Sequence, residues 1–570
     1  SIDILKDASS AAVFGSRSAA GVIIVTTKKG RMSKPSINFS SNIGIVGLTR
    51  HMKPFGPDDY LTARAVMFTQ RHTNRPSHYY TNPDNLPGNI SVDDWMKYDA
   101  TPTGDPVGTW LNRLVLSPKE QENYRSGKVT NWYDAIYRNG VRQDYDMNIS
   151  GGTSNLRYYI SSGYTHNQGY SLGDEFKTFR SRVNLDADIN SFLKVGVNAQ
   201  FSSRDEGFER ITLDQAVAQS PFTQIYDESG KMLMYPNDDI LVVNPFMYYT
   251  YRDRYSKTQM LYATLFGEVK LPLGFSFRVN FLNNYSYGRN YLFDPVNTPS
   301  GLNNRGIGSR STNIGYEWMV DNILKWNRKF GVHNIDFTFL VNAEKFQSWS
   351  DNLENTQFDP NDALSYHALQ SGNNPSLNND DTYATGNALM ARINYSLLDK
   401  YLFTLTWRRD GYSAFGQAQP YANFPSAAFA WKISEENFFN SSSLSTLKLR
   451  LSLGVNGNRA SNPYDALSRL VSNKYVYGNT LASGVYTGTM SNSELRWERT
   501  YASNLGLEFG FLQDRINGSI EVYDMTTRDL LLTRTLPRIS GYTSVMSNLG
   551  ELGNRGFEFT LSSNNLRTKS

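Results

Sequence analysis

The sequence predicts an all-β protein whose strands form a transmembrane antiparallel β-barrel. Three observations carry that prediction. Segments of about ten residues alternate apolar and polar side chains with period two. The connections between these segments alternate short and long. The composition is polar overall and tyrosine-rich, with 36 Tyr and a mean hydropathy of −0.49.

Composition excludes several classes. No run of about 18 apolar residues occurs, so the chain does not cross a membrane by helices. With no Cys, neither disulfides nor a thiolate metal site hold it together. A net charge of +4 with 19% charged residues is too balanced for a nucleic-acid surface. Low bulk hydropathy fits a barrel, where only alternate residues face lipid. On composition alone a large secreted β-protein fits equally well.

The strands distinguish the two. Phe275, Phe277, Val279 and Phe281 share one face, with Ser276, Arg278 and Asn280 on the other. Ile335, Phe337, Phe339, Val341 and Ala343 repeat the pattern, as do Phe179, Val183, Leu185 and Ile189. Sandwich strands usually run about five or six residues, whereas a tilted membrane crossing takes about 9–11.

The connections add a stronger argument. Tight turns are predicted at 151–155, 189–192, 271–274, 327–331, 397–400 and 512–515. Long polar loops are predicted at about 203–257, 288–315, 347–382, 456–494 and 529–553. Short turns at one end and long loops at the other is the pattern of outer-membrane barrels, and it gives about sixteen strands. The stretch from His51 to Gly140 reads as an excursion between the first two barrel strands. It contains a helix N-terminus at Ser117-Pro118. Trp318, Trp326, Trp407, Trp431 and Trp497 sit near strand ends, where each reads equally as an interfacial girdle residue or an ordinary core aromatic.

Signals for covalent or metal chemistry are weak. The stretch from Lys6 to Gly21 lacks the spacing of a phosphate loop, because Gly21 precedes Val22 and not Lys. Its small residues suit tight packing and a turn. The six His show no metal-ligand spacing. Asp227–Gly230 and Asn379–Asp381 lack a full set of calcium oxygens and read as solvated tips. Gly411–Gly416 is not a nucleophile elbow. The chain is therefore expected to bind no cofactor or metal and to be no enzyme. The long loops are the binding candidates, because Tyr, Asn, Asp and Trp stack on sugar faces and hydrogen-bond hydroxyls. Tyr226, Tyr235, Tyr248, Tyr249 and Tyr251 form the most concentrated set.

The opening segment, from Ser1 through Phe14-Gly-Ser-Arg-Ser-Ala-Ala-Gly21 to Gly30, resembles the close of the plug of TonB-dependent outer-membrane transporters, especially the SusC/RagA-like branch. Further segments resemble the same family in order. They are Trp132–Gly140, Asp146–Thr153, Tyr158–Tyr164, Tyr401–Gly411, Phe424–Ser434, Leu447–Asn458, Leu495–Glu498, Thr527–Leu531 and Asn548–Glu558. The resemblance implies that residues 1–30 end a plug, with Lys6, Asp7, Gly15, Arg17 and Gly21 as its structural motif. It implies that 31–570 is a barrel, present for about sixteen of about 22 strands and incomplete at its C-terminus. On this reading the chain is a portion of a longer protein, preceded by most of the plug and a TonB-contacting segment.

The same resemblance implies a function. A nutrient, oligosaccharide first and peptide second, is captured at the outer face under a SusD-like lipoprotein. TonB then draws on the plug to open a path through the outer membrane, whose lipid surrounds the wall. A passive or adhesive outer-membrane barrel and a secreted β-rich enzyme are the rivals.

Overall fold

The computed structural model describes the chain except residues 7–9, 11–17, 19–20, 51–52, 101–103, 360–361, 461 and 567–570. It opens with an antiparallel hairpin, β1 (Ile2–Leu5) and β2 (Val22–Val25). The main sheet then begins with β3 (Ser33–Val46), β4 (Gly140–Gly152), β5 (Leu156–Gln168), β6 (Glu175–Asp188) and β7 (Leu193–Asp205). It continues through β8 (Asp253–Lys270), β9 (Phe275–Asp294), β10 (Ile307–Phe330), β11 (His333–Thr356) and β12 (Ser376–Leu397). Next come β13 (Tyr401–Tyr412), β14 (Tyr421–Lys432) and β15 (Leu444–Asn458). A separate hairpin, β16 (Leu470–Tyr477) and β17 (Thr480–Thr487), interrupts the series. The sheet resumes with β18 (Glu498–Phe511) and β19 (Ile516–Arg528). A second hairpin follows, β20 (Leu531–Thr535) and β21 (Ser544–Asn548), and β22 (Glu551–Ser563) closes the series.

The main sheet has sixteen strands, every neighbour antiparallel and next in order, with β3 and β22 at its edges. This is the number and the up-and-down order that the alternating loops predict. All six predicted tight turns join neighbouring strands at one end. Leu398 and Asp399 both take φ of +57°, the left-handed pair that a two-residue hairpin needs to match strand twist.

The other end departs from expectation in one respect. β9 to β12 run well into the predicted loops, and β10 and β11 each have 24 residues. At about 3.3 Å per residue and a tilt near 45°, such a strand rises roughly 55 Å, beyond the roughly 30 Å hydrocarbon core. Above that core both faces are wetted, so Asn, Ser and Asp alternate with one another and the period-two signal disappears. Asn379–Asp381 accordingly lies within a strand paired to Trp349–Asp351, not at a loop tip.

Cross-strand rows show which face is which. Leu265, Phe281, Val320 and Ala343 form one row on one face. Offset by one residue, Phe266, Asn280, Asp321 and Asn342 form a row on the other. The apolar face carries Val341, Leu389, Ile393, Leu405 and Leu453, all exposed, and meets lipid. Trp326 and Trp431 mark its short-turn end, where the Trp326 indole donates to the Leu273 carbonyl at 3.0 Å and Tyr401 stacks on Trp431. Trp318 lies higher on the same face, paired with Asn283, and Trp407 is also exposed there. Trp497 is no girdle residue: it is 2% exposed and buried among Phe415, Phe424 and Leu495 in the long-loop end.

Candidate functional site in the lumen and its long-loop mouth

The polar face encloses the N-terminal hairpin. Lys6 Nζ donates to Glu558 Oε2 of β22 at 2.6 Å. Asn184 Nδ2 of β6 donates to the Lys28 carbonyl at 2.7 Å. Contacts with strands so far apart in the order show that the sheet curves around this segment. A cavity of about 630 Å³ lies between the hairpin and the β18–β22 wall, lined by Lys6, Gly21, Asn504, Tyr523 and Glu558 among others. A smaller one, about 370 Å³, lies between Thr26–Lys29 and the β6–β8 wall at Arg182, Asn198, Gln200 and Tyr262.

Lumen charges are paired along the wall. Arg180 meets Asp146 at 3.4 Å, Arg278 meets Glu268 at 3.2 Å and Arg450 meets Glu508 at 2.8 Å. Nearer the mouth, Arg408 holds Asp410 at 2.9 Å and Arg459 pairs with Glu344. Pairing matters most at the nearly buried Arg408–Asp410, where an uncompensated charge is costly, whereas the Arg180, Arg278 and Arg450 pairs are partly exposed. A trough of about 800 Å³ around Ala427, Leu405, Trp407 and Leu453 lies on the apolar outer face, where lipid covers it, and it belongs to no lumen site.

At the mouth the loops have cores of their own. The excursion between β3 and β4 folds as helices α1 (Pro57–Arg71), α2 (Val92–Met96), α3 (Pro106–Arg113) and α4 (Pro118–Arg125). Ser117 caps α4 in a full capping box with Glu120, as its Ser-Pro start predicts. Trp95, Trp110, Leu111 and Leu114 fill the centre, joined by Phe222 from the loop after β7. Arg113 threads this core. It pairs with Asp99 at 2.9 Å, donates to the Tyr79 and Trp95 carbonyls, and lies 3.9 Å from the Trp95 ring centre. Sequence reading missed Arg113, because nothing in the pattern marks a cation destined for an aromatic core. A second core joins α5 (Trp132–Ile136), α6 (Leu213–Val217) and α7 (Phe246–Tyr251).

The loop tyrosines divide. Tyr249 and Tyr251 pack against the second core, and Tyr248 lies under the Arg252 guanidinium at 4.2 Å. Tyr226 is 51% exposed and bridges to Met232 in a small turn. Tyr235 is half-buried nearby. The five therefore do not form one open surface. The Asp227 carboxylate accepts from its own turn, at Ser229 and Lys231, and those contacts hold it below the usual carboxylate range. Among the described residues no cluster of three or more potential ligands can hold a metal. Of the N-terminal motif, Gly21 takes φ of +90° at the turn into β2, which favours Gly. Asp7, Gly15 and Arg17 lie outside the described residues.

Comparison with known proteins follows the same lines. Residues 219–568 match the family model described as TonB dependent receptor-like, beta-barrel. TonB-dependent receptor P3 of Formosa agariphila is 29% identical over 593 residues, covering 99% of this chain and 52% of that protein. TonB-dependent receptor SusC of Bacteroides thetaiotaomicron is 29% identical over 606 residues, covering 100% and 54%. The chain thus spans about half the length of the curated relatives it matches. Among solved structures, the RagAB peptide transporter superposes with a TM-score of 0.79 at 21% identity, covering 100% of this chain and 63% of that one. The chain belongs to the TonB-dependent receptor family, SusC-like in sequence and RagAB-like in fold, whose strands cross the outer membrane.

Proposed function

We propose that this chain supplies most of the wall and the end of the plug, residues 1–30, of an energy-coupled outer-membrane importer. The observation that carries this reading is the N-terminal hairpin held inside a charged, curved sheet by Lys6–Glu558 on one side and Lys28–Asn184 on the other. A passive pore gains nothing from an internal segment attached this way, whereas an importer needs a stopper it can release.

The cargo in this reading is an oligosaccharide, met at the mouth by loops rich in Tyr and Asn. Tyr226 and Tyr235 are better placed to stack on a sugar than Tyr248, Tyr249 and Tyr251, which serve the loop core. A peptide is the second reading, favoured by the fold shared with a peptide transporter. The partner above the mouth is a SusD-like surface lipoprotein. Supporting it, the hairpin β16–β17 projects Leu470, Val476, Tyr477, Leu481 and Val485, each more than 60% exposed, an apolar surface that water alone does not favour.

The test is extraction of the full-length protein from its native outer membrane in mild detergent, with uptake measured in parallel. A stoichiometric lipoprotein, and oligosaccharide uptake abolished by dissipating the proton gradient, is the expected result. Uptake of peptides instead replaces the cargo. Uptake indifferent to the gradient ends the energy-coupled reading.

A further inference from the structure

The outer face carries a group of cations that the import function does not use. Going up the long strands from lipid, one row reads Leu261, Tyr285, Tyr316 and Gln347. The next reads Gln259, Tyr287, Ile314 and Trp349. Above these aromatics stand Lys257 and Arg289, directly opposite each other, then Arg310 one row higher beside Tyr291. Lys345, on the same face of β11 and over the Tyr383 ring at 5.6 Å, lies in the lower row of Trp318 and Asn283, beneath these aromatics, and does not belong to the group.

These three cations differ from the paired arginines of the lumen, such as Arg278–Glu268 and Arg450–Glu508. Among the described residues none of the three comes within ion-pair distance of a carboxylate. Arg289 lies 5.2 Å and 5.1 Å from the Tyr255 and Tyr287 ring centres, and its Nε is buried without a hydrogen-bond partner. Arg310 lies 4.2 Å from the Tyr291 ring centre. Asp351 stands in the Lys257–Arg289 row, but beyond Thr312 and two strands from Arg289. Asp253 is engaged by Ser365.

Their height is informative. Twelve residues separate Phe277, near the short-turn end, from Arg289. At about 3.3 Å per residue and 45° of tilt this is roughly 28 Å, just above an apolar band about 25 Å tall. The cations therefore sit at the level of the outer leaflet's headgroups, with an aromatic girdle immediately below.

We propose that Lys257, Arg289 and Arg310 form a binding site for a phosphate-bearing lipid headgroup of the outer leaflet, its acyl chains lying along the apolar wall beneath. Guanidinium groups match phosphate bidentately and an ammonium adds a point charge. Basic groups at headgroup level recognise anionic lipids in this way. The site faces away from the lumen, so it is independent of cargo.

The experiment uses the full-length protein in nanodiscs of zwitterionic phospholipid, doped with bisphosphorylated lipid A or with the same lipid dephosphorylated. Native mass spectrometry reads the lipid retained. The wild type is expected to retain the phosphorylated form selectively. K257Q/R289Q/R310Q is expected to lose at least about tenfold of that retention, the equivalent of one charge-assisted contact. Heat-modifiable migration on a gel establishes that the variant is folded, and K257Q/R289Q serves if the threefold change fails that check. K53Q/R64Q/R71Q, which removes the same three charges from the loop excursion, should retain lipid like the wild type. Equal retention by the folded variant, equal loss in K53Q/R64Q/R71Q, or displacement of the lipid by excess inorganic phosphate overturns the proposal.

Discussion

Arg113 and Asp529 show how single charged side chains organise the mouth. Arg113 is enclosed by Trp95 and Tyr79 and satisfies Asp99 together with two backbone carbonyls. Removing a cation from such a setting strands its partners, at a cost of about 3–5 kcal/mol. Arg113→Met should therefore open α2 and α3 locally, read as faster hydrogen exchange there, while the wall keeps its heat-modifiable migration. Asp529 ties the base of β20–β21, where Arg496 and then Arg499 hydrogen-bond its carboxylate and hold it below the usual carboxylate range. A depressed folded value means the tie is fully present above the ordinary carboxylate pKa of about 3.9. The tie is lost as pH falls through the lower folded value. Exchange in 531–548 should rise steeply in that acid window, and Asp529→Asn should show raised exchange with no such step. Neither residue was legible in the sequence, since pairing over tens of positions depends on which loops fold together.

At the scale of the strand, function rests on alternation. Ala427 of β14 pairs with Leu405 and Leu453 on the lipid face, whereas Ala428 pairs with Thr404 and Ser452 on the lumen face. Ala427→Arg should cost about 2–4 kcal/mol of folding free energy in bilayers. Ala428→Arg, one position on, should cost markedly less, since its side chain reaches a polar lumen. Urea unfolding of the full-length protein in vesicles measures both, and equal losses would mean the faces are misassigned. Strands within the bilayer were legible because lipid on one side and polar groups on the other force period two. The upper halves of β9 to β12 were not, because water on both sides removes the contrast.

At the scale of the whole molecule, the N-terminal hairpin is the moving part in the proposed function. These 570 residues hold no Cys, so Lys6→Cys with Glu558→Cys introduces the sole thiols of this part of the protein for a short bifunctional thiol reagent. The crosslinked full-length protein should still bind cargo but fail to import it, with import restored by a cleavable reagent. Import by the crosslinked form would show that the hairpin need not leave the wall. The ion pair itself is largely exposed, so its loss should shift stability by less than about 1 kcal/mol. It serves to place the hairpin more than to stabilise the barrel.

The sequence alone determined the fold class, the sixteen strands, the sorting of turns from loops and the excursion after β3. Each follows from local rules: lipid selects alternation, and tight turns need few residues. Only the tertiary structure decided that Trp497 is a loop-core residue, that the loop tyrosines divide between packing and exposure, and that Lys6 meets Glu558 across the lumen. It also decided that Lys257, Arg289 and Arg310, spread over three strands, stand together above the aromatic rows of the outer face. Strand register converts distant sequence positions into neighbours, and no local periodicity encodes register between strands that are not joined by a short turn.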